Sequence, residues 1–142
     1  MNVKRFILSF LAVFVFIFLF EGLFHGKLLH DLYAQTQSLW RTEQEMNAYF
    51  HWLVLGHVII ALFFSLIFVK CCQSSGIGPG LGFGLLMGLL SWGETLITYT
   101  VQPLPPKLVM MWLINGLVEF GIAGIVLGAI YRPRSGAPPA SA

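Results

Sequence analysis

Six acidic or histidine side chains lie within or at the ends of long apolar stretches, and one of them, His51, lies at an interfacial position beside Tyr49 and Trp52. The other five are Glu21, His25, His57, Glu94 and Glu119. A carboxyl group can exchange a proton or bind a cation, and an imidazole can titrate near neutral pH or bind a metal. On insertion scales a charged residue at the centre of a membrane helix costs about 2.5–3.5 kcal/mol, so such residues are typically functional. These five side chains are therefore the candidate functional residues.

Four of the five share a depth if the apolar stretches cross a membrane in alternating directions. Glu21, His57, Glu94 and Glu119 then all lie between the bilayer centre and the outer surface, one on each stretch. The inner half contains no titratable side chain until Lys70 and the basic residues near the N-terminus. This segregation predicts a polar cavity inside the helices that is open toward the outer side.

Within this cavity, Glu94 and Glu119 are the predicted proton- or ion-binding groups, because buried carboxyl groups can change charge. Uncharged polar residues accompany them at helical spacing. The predicted ion- or proton-binding set is Glu94, Glu119, Asn115, Ser91, Thr95 and Thr98.

A metal site is an alternative use of the same cavity. Glu21 and His25 are four residues apart and share one face of a helix. Together with His57 they form the predicted set of metal ligands, and imidazole with carboxylate suits a divalent metal such as zinc, iron or manganese. A haem held by His57 and either His25 or His51 is a further alternative.

The composition determines what kind of protein must position these residues. Of the 142 residues, 57% are hydrophobic and only 10% are charged, whereas soluble domains are about 25% charged. A soluble chain of this size has too little interior to bury so much apolar surface. The formal net charge of +2 provides no basic surface for nucleic acid. The sequence therefore predicts an integral membrane protein.

Four apolar stretches, at about residues 6–24, 49–69, 80–101 and 108–130, are each long enough to cross a bilayer as a helix. None alternates as a membrane β-strand would, so we predict an all-α, polytopic fold with four transmembrane helices in one bundle, spanning residues 1–131. No small-x-small cleavage site follows the first stretch, which predicts an uncleaved helix rather than a signal peptide.

The segment between the first two stretches is predicted to form a short amphipathic helix on the outer membrane surface. The sequence Thr42-x-x-Glu45 after it is typical of a capping box that starts the second long helix. The apolar residues at helical spacing in this segment are Leu28, Leu29, Leu32, Tyr33, Leu39 and Trp40.

Basic residues near the helix ends predict the orientation. Lys4, Arg5, Lys70, Arg132 and Arg134 outnumber Lys27, Arg41 and Lys107 at the opposite side, which places both termini in the cytoplasm and the chain in a cytoplasmic (inner) membrane. Residues 132–142 are predicted to be a disordered tail. Cys71 and Cys72 would face the reducing cytoplasm and form no recognisable motif.

Glycines at four-residue spacing predict close helix packing on the third and fourth stretches. The pattern fits packing within the bundle, and it also fits a face for a homo-oligomer or a larger membrane complex. The residues of these two ridges are Gly80, Gly84, Gly88, Gly124 and Gly128.

Three functions follow as hypotheses from these features. In the first, the Glu and His cluster binds or translocates a proton, cation or metal. In the second, the chain is a structural or accessory subunit of a larger membrane complex, packed through its glycines. In the third, it is a membrane enzyme that depends on a metal or haem.

Overall fold

The computed structural model describes residues 2–72 and 76–131, and these residues form helices and short connections without β-strands. The predicted all-α fold is therefore confirmed. A π-helical turn, Phe24–Leu28, directly follows the first helix, and a single 3₁₀ turn, Gln37–Leu39, follows the second. The helices are α1 (Val3–Leu23), α2 (His30–Gln35), α3 (Glu43–Cys71), α4 (Ile77–Val101) and α5 (Pro106–Ile130).

Four of these helices are long and apolar enough to cross a membrane: α1 with its π-helical turn, α3, α4 and α5. All four predicted stretches are confirmed as helices, and α3 extends furthest beyond its predicted start. The extension comes from the Thr42 capping box, which is also confirmed. The Glu45 backbone N–H donates to the Thr42 hydroxyl (3.3 Å), and the Thr42 backbone N–H donates to the Glu45 carboxylate (2.9 Å).

Helices α4 and α5 form the tightest pair in the molecule, and their contact is made of glycine. A Cβ atom added to Gly80 would overlap the carbonyl group of Gly124, and one added to Gly124 would overlap the carbonyl of Gly80. Gly84 faces the carbonyl of Phe120 in the same way. The missing side chains allow the two backbones to touch, as small residues do between membrane helices.

Both glycine ridges thus pack against each other within one chain. Gly88 packs on Gly116, and Gly128 packs on the backbone of residues 76–80.

Helix α1 lies against both α3 and α5, and it encloses the apolar core together with them. Its Val13 and Ile17 are buried against α3 and α5, while Phe83 of α4 packs its ring on Phe64 of α3 at 4.8 Å between centroids. The buried members of this core are Val13, Ile17, Ala61, Phe64, Phe68, Ala123, Leu127 and Tyr131.

The segment that contains α2 folds over one end of the bundle, which we call the α2 end. Leu29 is fully buried there against Leu104, Leu108 and Val109 of the α4–α5 connection and the start of α5. The predicted short helix in this segment is present. Its apolar side faces α5 of the same chain. This contact places Tyr33 of α2 next to Trp112 of α5, close to the residues that form the candidate site.

The opposite end joins the N-terminus to the end of α5. The Arg5 guanidinium donates to the carbonyl oxygen of Ile130 (3.2 Å), and it thereby caps a helix C-terminus that carries partial negative charge. The predicted disordered tail, with Arg132 and Arg134, lies outside the described residues.

Candidate functional site

The candidate site lies between α1 and α5 at the α2 end of the bundle. Asn115 of α5 donates from Nδ2 to Oε1 of Glu21 on α1 over 2.6 Å. Asn115 and Glu119 are four residues apart, so they share the face of α5 that α1 covers, and each is only 5% exposed. The sequence predicted Asn115 and Glu119 as members of the ion- or proton-binding set, and Glu21 and His25 as members of the metal-ligand set. The structure combines the two pairs into one cluster.

His25 connects this cluster to the α2 end. Its Nε2 atom lies 3.1 Å from Oε2 of Glu21, and its Nδ1 atom lies 2.5 Å from the hydroxyl oxygen of Tyr33. The indole Nε1–H of Trp112 donates to the same hydroxyl oxygen over 2.9 Å. The π-helical turn that contains His25 is what places its ring between α1 and α2.

The direction of each hydrogen bond in this chain follows from the groups involved. An indole nitrogen can only donate, so the Tyr33 oxygen accepts from Trp112 and its own hydrogen is free to bond His25 Nδ1. A neutral His25 then carries its hydrogen on Nε2 and donates it to Glu21. Glu21 therefore accepts hydrogen bonds from both His25 and Asn115, which stabilises its carboxylate form.

Glu119 is the second carboxyl group of the cluster, and it is a side-chain hydrogen-bonding partner of Glu21. Two carboxylates present only acceptors to each other, so a hydrogen bond between them requires one proton. Because Glu21 already accepts from His25 and Asn115, Glu119 is the member of the pair placed to donate in such a bond.

Asn115 contributes an unusual feature to the same place. Its Nδ2 is used by Glu21, but its Oδ1 atom is buried and has no hydrogen-bond partner within residues 2–72 and 76–131. A buried acceptor without a partner is destabilising by about 1–3 kcal/mol. The site therefore has an oxygen that can accept a donor or bind a cation, next to two carboxyl groups.

Four aromatic rings cover the cluster from the α2 end. The ring centroids of His25 and Tyr33 are 5.8 Å apart, those of Tyr33 and Trp40 are 5.2 Å apart, and those of Trp40 and Trp112 are 6.2 Å apart. Burial in this layer, together with the negative charge of Glu21, raises the pKa of Tyr33 to about 12. The Tyr33 phenol is therefore protonated throughout the physiological range.

Sequence reasoning missed the roles of Tyr33 and Trp112. Tyr33 was predicted only as an apolar residue of the amphipathic segment, and Trp112 lies near the end of its apolar stretch, where aromatic residues are common. One signal was available, since Tyr33 follows His25 by eight residues, close to two helical turns, and Trp112 precedes Asn115 by three.

The predicted metal ligand His57 lies elsewhere. Its Nδ1–H donates to the carbonyl oxygen of Leu53 (2.7 Å), and its ring packs edge-on against Phe18 at 5.6 Å between centroids. Within the described part of the chain, no group of three or more His, Cys, Asp or Glu side chains is arranged to hold a metal ion. The fold does not assemble Glu21, His25 and His57 as one ligand set. Both ring nitrogens of His25 are already engaged, which disfavours His25 as the partner of His57 in the haem alternative.

Glu94 and its polar neighbours are also apart from the cluster. Glu94 is exposed on α4, and the face of α4 that meets α5 there presents Trp92, whose indole N–H donates to the Leu113 carbonyl (2.8 Å). The hydroxyl groups of the neighbouring residues bond to carbonyl oxygens of their own helix. They are Ser91 to Gly88 (2.7 Å), Thr95 to Ser91 (3.2 Å) and Thr98 to Glu94 (2.9 Å).

The paired cysteines lie at the other end of the molecule. Cys71 is exposed, and Cys72 is half-buried. Burial raises the pKa of the Cys72 thiol, which keeps it in the neutral form that binds metals and reacts as a nucleophile poorly. We therefore assign these cysteines no part in the site.

The assembled site consists of Glu21, His25, Asn115 and Glu119, covered by Tyr33. It offers two carboxyl groups, one of which accepts from His25 and Asn115, and a buried oxygen without a partner in the described residues, joined by hydrogen bonds to the α2 end of the bundle. Comparisons of this chain with known protein families, with curated proteins and with solved structures found no match.

Proposed function

We propose that the four long helices span a membrane. Their outward surfaces support this assignment, because large apolar side chains such as Val15, Leu86 and Ile97 are 52%, 64% and 69% exposed. In the apolar windows of α1 and α4 only 17% of the positions are buried within the chain. Water would disfavour such surfaces, whereas lipid hydrocarbon solvates them and leaves the internally bonded helix backbones satisfied.

In the proposed orientation the α2 end faces the outside of a cytoplasmic membrane. The opposite end carries Lys4, Arg5 and Lys70, and the positive-inside tendency places it in the cytoplasm. The segment containing α2 then lies at the outer membrane surface, with Leu29 anchoring it to α5.

The protein is proposed to bind a proton at Glu119 and to pass it through Glu21 and His25 toward the outer surface. The observation that carries this function is the hydrogen-bonded connection from α5 to α1, in which the buried Asn115 and Glu119 both bond to Glu21. His25, with a 31% exposed side chain, continues the connection to the more accessible end. Titratable groups in hydrogen-bonding contact are the components from which proton relays in membranes are built.

Proteoliposomes that contain a pH-sensitive dye test this function. An imposed pH gradient or membrane potential should drive proton flux in the parent protein, and Glu119→Gln and Glu21→Gln should reduce this flux to the level of empty liposomes. Glutamine keeps the size of each side chain but cannot release a proton.

Glu94→Gln is the matched control, because Glu94 is the carboxyl group of α4 that the fold leaves exposed and outside the cluster. It should conduct like the parent. If Glu119→Gln and Glu21→Gln also conduct like the parent, the proposed function is wrong. If Glu94→Gln alone abolishes flux, the path follows α4 instead.

A further inference from the structure

The buried Oδ1 atom of Asn115 suggests that the cluster binds more than a proton. Only 5% of Asn115 is exposed, and its Oδ1 atom has no hydrogen-bond partner in the described residues. The amide lies against Glu21, and Glu119 follows one turn later on the same face of α5. Oxygen-bearing side chains from two helices, the partly exposed Glu21 and the buried Asn115 and Glu119, therefore lie close together.

We propose that Glu21, Asn115 and Glu119 form a site for a small monovalent cation, with Na⁺ as its representative, which competes with the proton held by the two carboxyl groups. This inference rests on the proposed function, because it assigns a second substrate to the same site. Carboxylate and amide oxygens are the ligands that hard cations prefer.

Charge balance favours a singly charged ion. In the proposed function the carboxyl pair binds one proton, and replacing this H⁺ by Na⁺ would leave the net charge of the cluster unchanged. A divalent ion would add a positive charge and would require further anionic ligands. Among the described residues, no group of three acidic, histidine or cysteine side chains is arranged to hold such an ion, and both ring nitrogens of His25 are engaged.

The exchange is balanced as a simple displacement. The O–H bond of the Glu119 carboxyl group breaks, the proton leaves to solvent along Glu21 and His25, and the cation takes its place between the two carboxylates and Asn115 Oδ1. Neither redox chemistry nor a co-reactant is involved. Cation binding at oxygen ligands that must first be deprotonated releases protons, which gives the experiment its signal.

The titratable groups on the helices around Glu119 determine which side chains could release the measured proton. Helix α1 contributes Glu21 and His25, and the segment with α2 reaches the cluster through Tyr33, which remains protonated.

The adjacent stretch of α4 presents Gly84, Gly88 and Ser91 to α5, none of which titrates. Helix α3 places the His57 ring edge-on against Phe18, and its Nδ1–H donates to the Leu53 carbonyl oxygen. The released proton is therefore expected to come from the carboxyl pair.

The test measures proton release by the purified protein in mild detergent, in weakly buffered choline chloride, when NaCl is added. The parent should release about one proton per chain with a saturating dependence on sodium, whereas the same concentration of choline chloride should release none. Glu119→Gln should lose the release, and Glu94→Gln should keep it.

Asn115→Leu removes the third oxygen ligand and should weaken the sodium dependence at least about tenfold. Its thermal unfolding transition is recorded alongside, so that loss of the fold is separated from loss of the ligand. The parent measurement alone can overturn the inference, because it needs no variant.

If sodium and choline release equal amounts of protons, or none, a water molecule satisfies Asn115 Oδ1 and the cation site is wrong. The proposed function fails separately, since it depends on proton flux in sodium-free liposomes. Flux that depends on Glu21 and Glu119 without sodium-driven proton release would reject the cation site and retain the proton relay.

Discussion

Asn115 on α5 donates its side-chain amide to the carboxylate of Glu21 on α1 across 94 positions of sequence. This one hydrogen bond unites two polar pairs that are far apart in the chain, Glu21 with His25 and Asn115 with Glu119. It also joins α1 to the α4–α5 unit at a place where both helices are otherwise apolar. The candidate function therefore depends on a contact that also supports the fold.

Replacing Asn115 with leucine should lower the free energy of unfolding. Leucine has a similar volume but no donor, so Glu21 loses a hydrogen bond to a charged group, an interaction that contributes about 1.5–3 kcal/mol. Removal of the unpartnered Oδ1 atom offsets part of this loss. Partial exposure of Glu21 places the expected loss toward the lower part of that range. Reversible unfolding in mixed detergent micelles measures this change. Asn47→Leu, at an exposed position of α3, is the control and should change stability by less than about 0.5 kcal/mol.

Gly84→Ala should separate α4 from α5 and destabilise the protein. The added methyl group would overlap the Phe120 carbonyl, and this backbone group cannot rotate away. Overpacking of this kind costs about 1–3 kcal/mol. Gly82→Ala is the matched control on the same helix, because a Cβ atom there meets nothing within 4 Å and alanine favours helix by about 1 kcal/mol. Thermal midpoints of the two variants should shift in opposite directions. Equal shifts would show that contact with α5 does not limit the size of the side chain at position 84.

Alkaline pH should destabilise the α2 end through Tyr33. Its pKa is raised from 10.0 to about 12 in the folded protein, so the folded state holds the proton more tightly than the unfolded state. The resulting stabilisation is complete below about pH 10 and is lost as pH rises from about 10 to about 12. The stability advantage of the parent over Tyr33→Phe should therefore shrink across this range.

Ultraviolet absorbance gives the direct measurement of this titration. The difference between the parent and Tyr33→Phe isolates one of the four tyrosines, and its ionisation should have a midpoint near pH 12. A midpoint near pH 10 would show that the Tyr33 phenol is solvated, in contradiction to its contacts with Trp112 and His25.

Local features of the chain were predictable because they depend on near neighbours. The length of the apolar stretches determines the four long helices, and Thr42 with Glu45 determines where α3 begins, since a capping box needs residues only three positions apart. The glycine spacing predicts that backbones approach closely, although it does not say which helix is the partner.

The tertiary structure decided which residues form the site. Depth along a helix can be estimated from sequence, and it grouped Glu94 and His57 with Glu21 and Glu119. Rotation about the helix axis cannot be estimated in the same way, because apolar residues surround each helix on all sides and leave no amphipathic face to orient it.

The close fit of the α4 and α5 glycines fixes that rotation. It turns Glu119 and Asn115 toward α1 and leaves Glu94 exposed, while the π-helical turn after α1 brings His25 beneath Tyr33. The sequence by itself determined the helices and the polar residues available to them. Only packing between helices decided which of those residues meet, because contacts between distant segments depend on the rotation and tilt of whole helices.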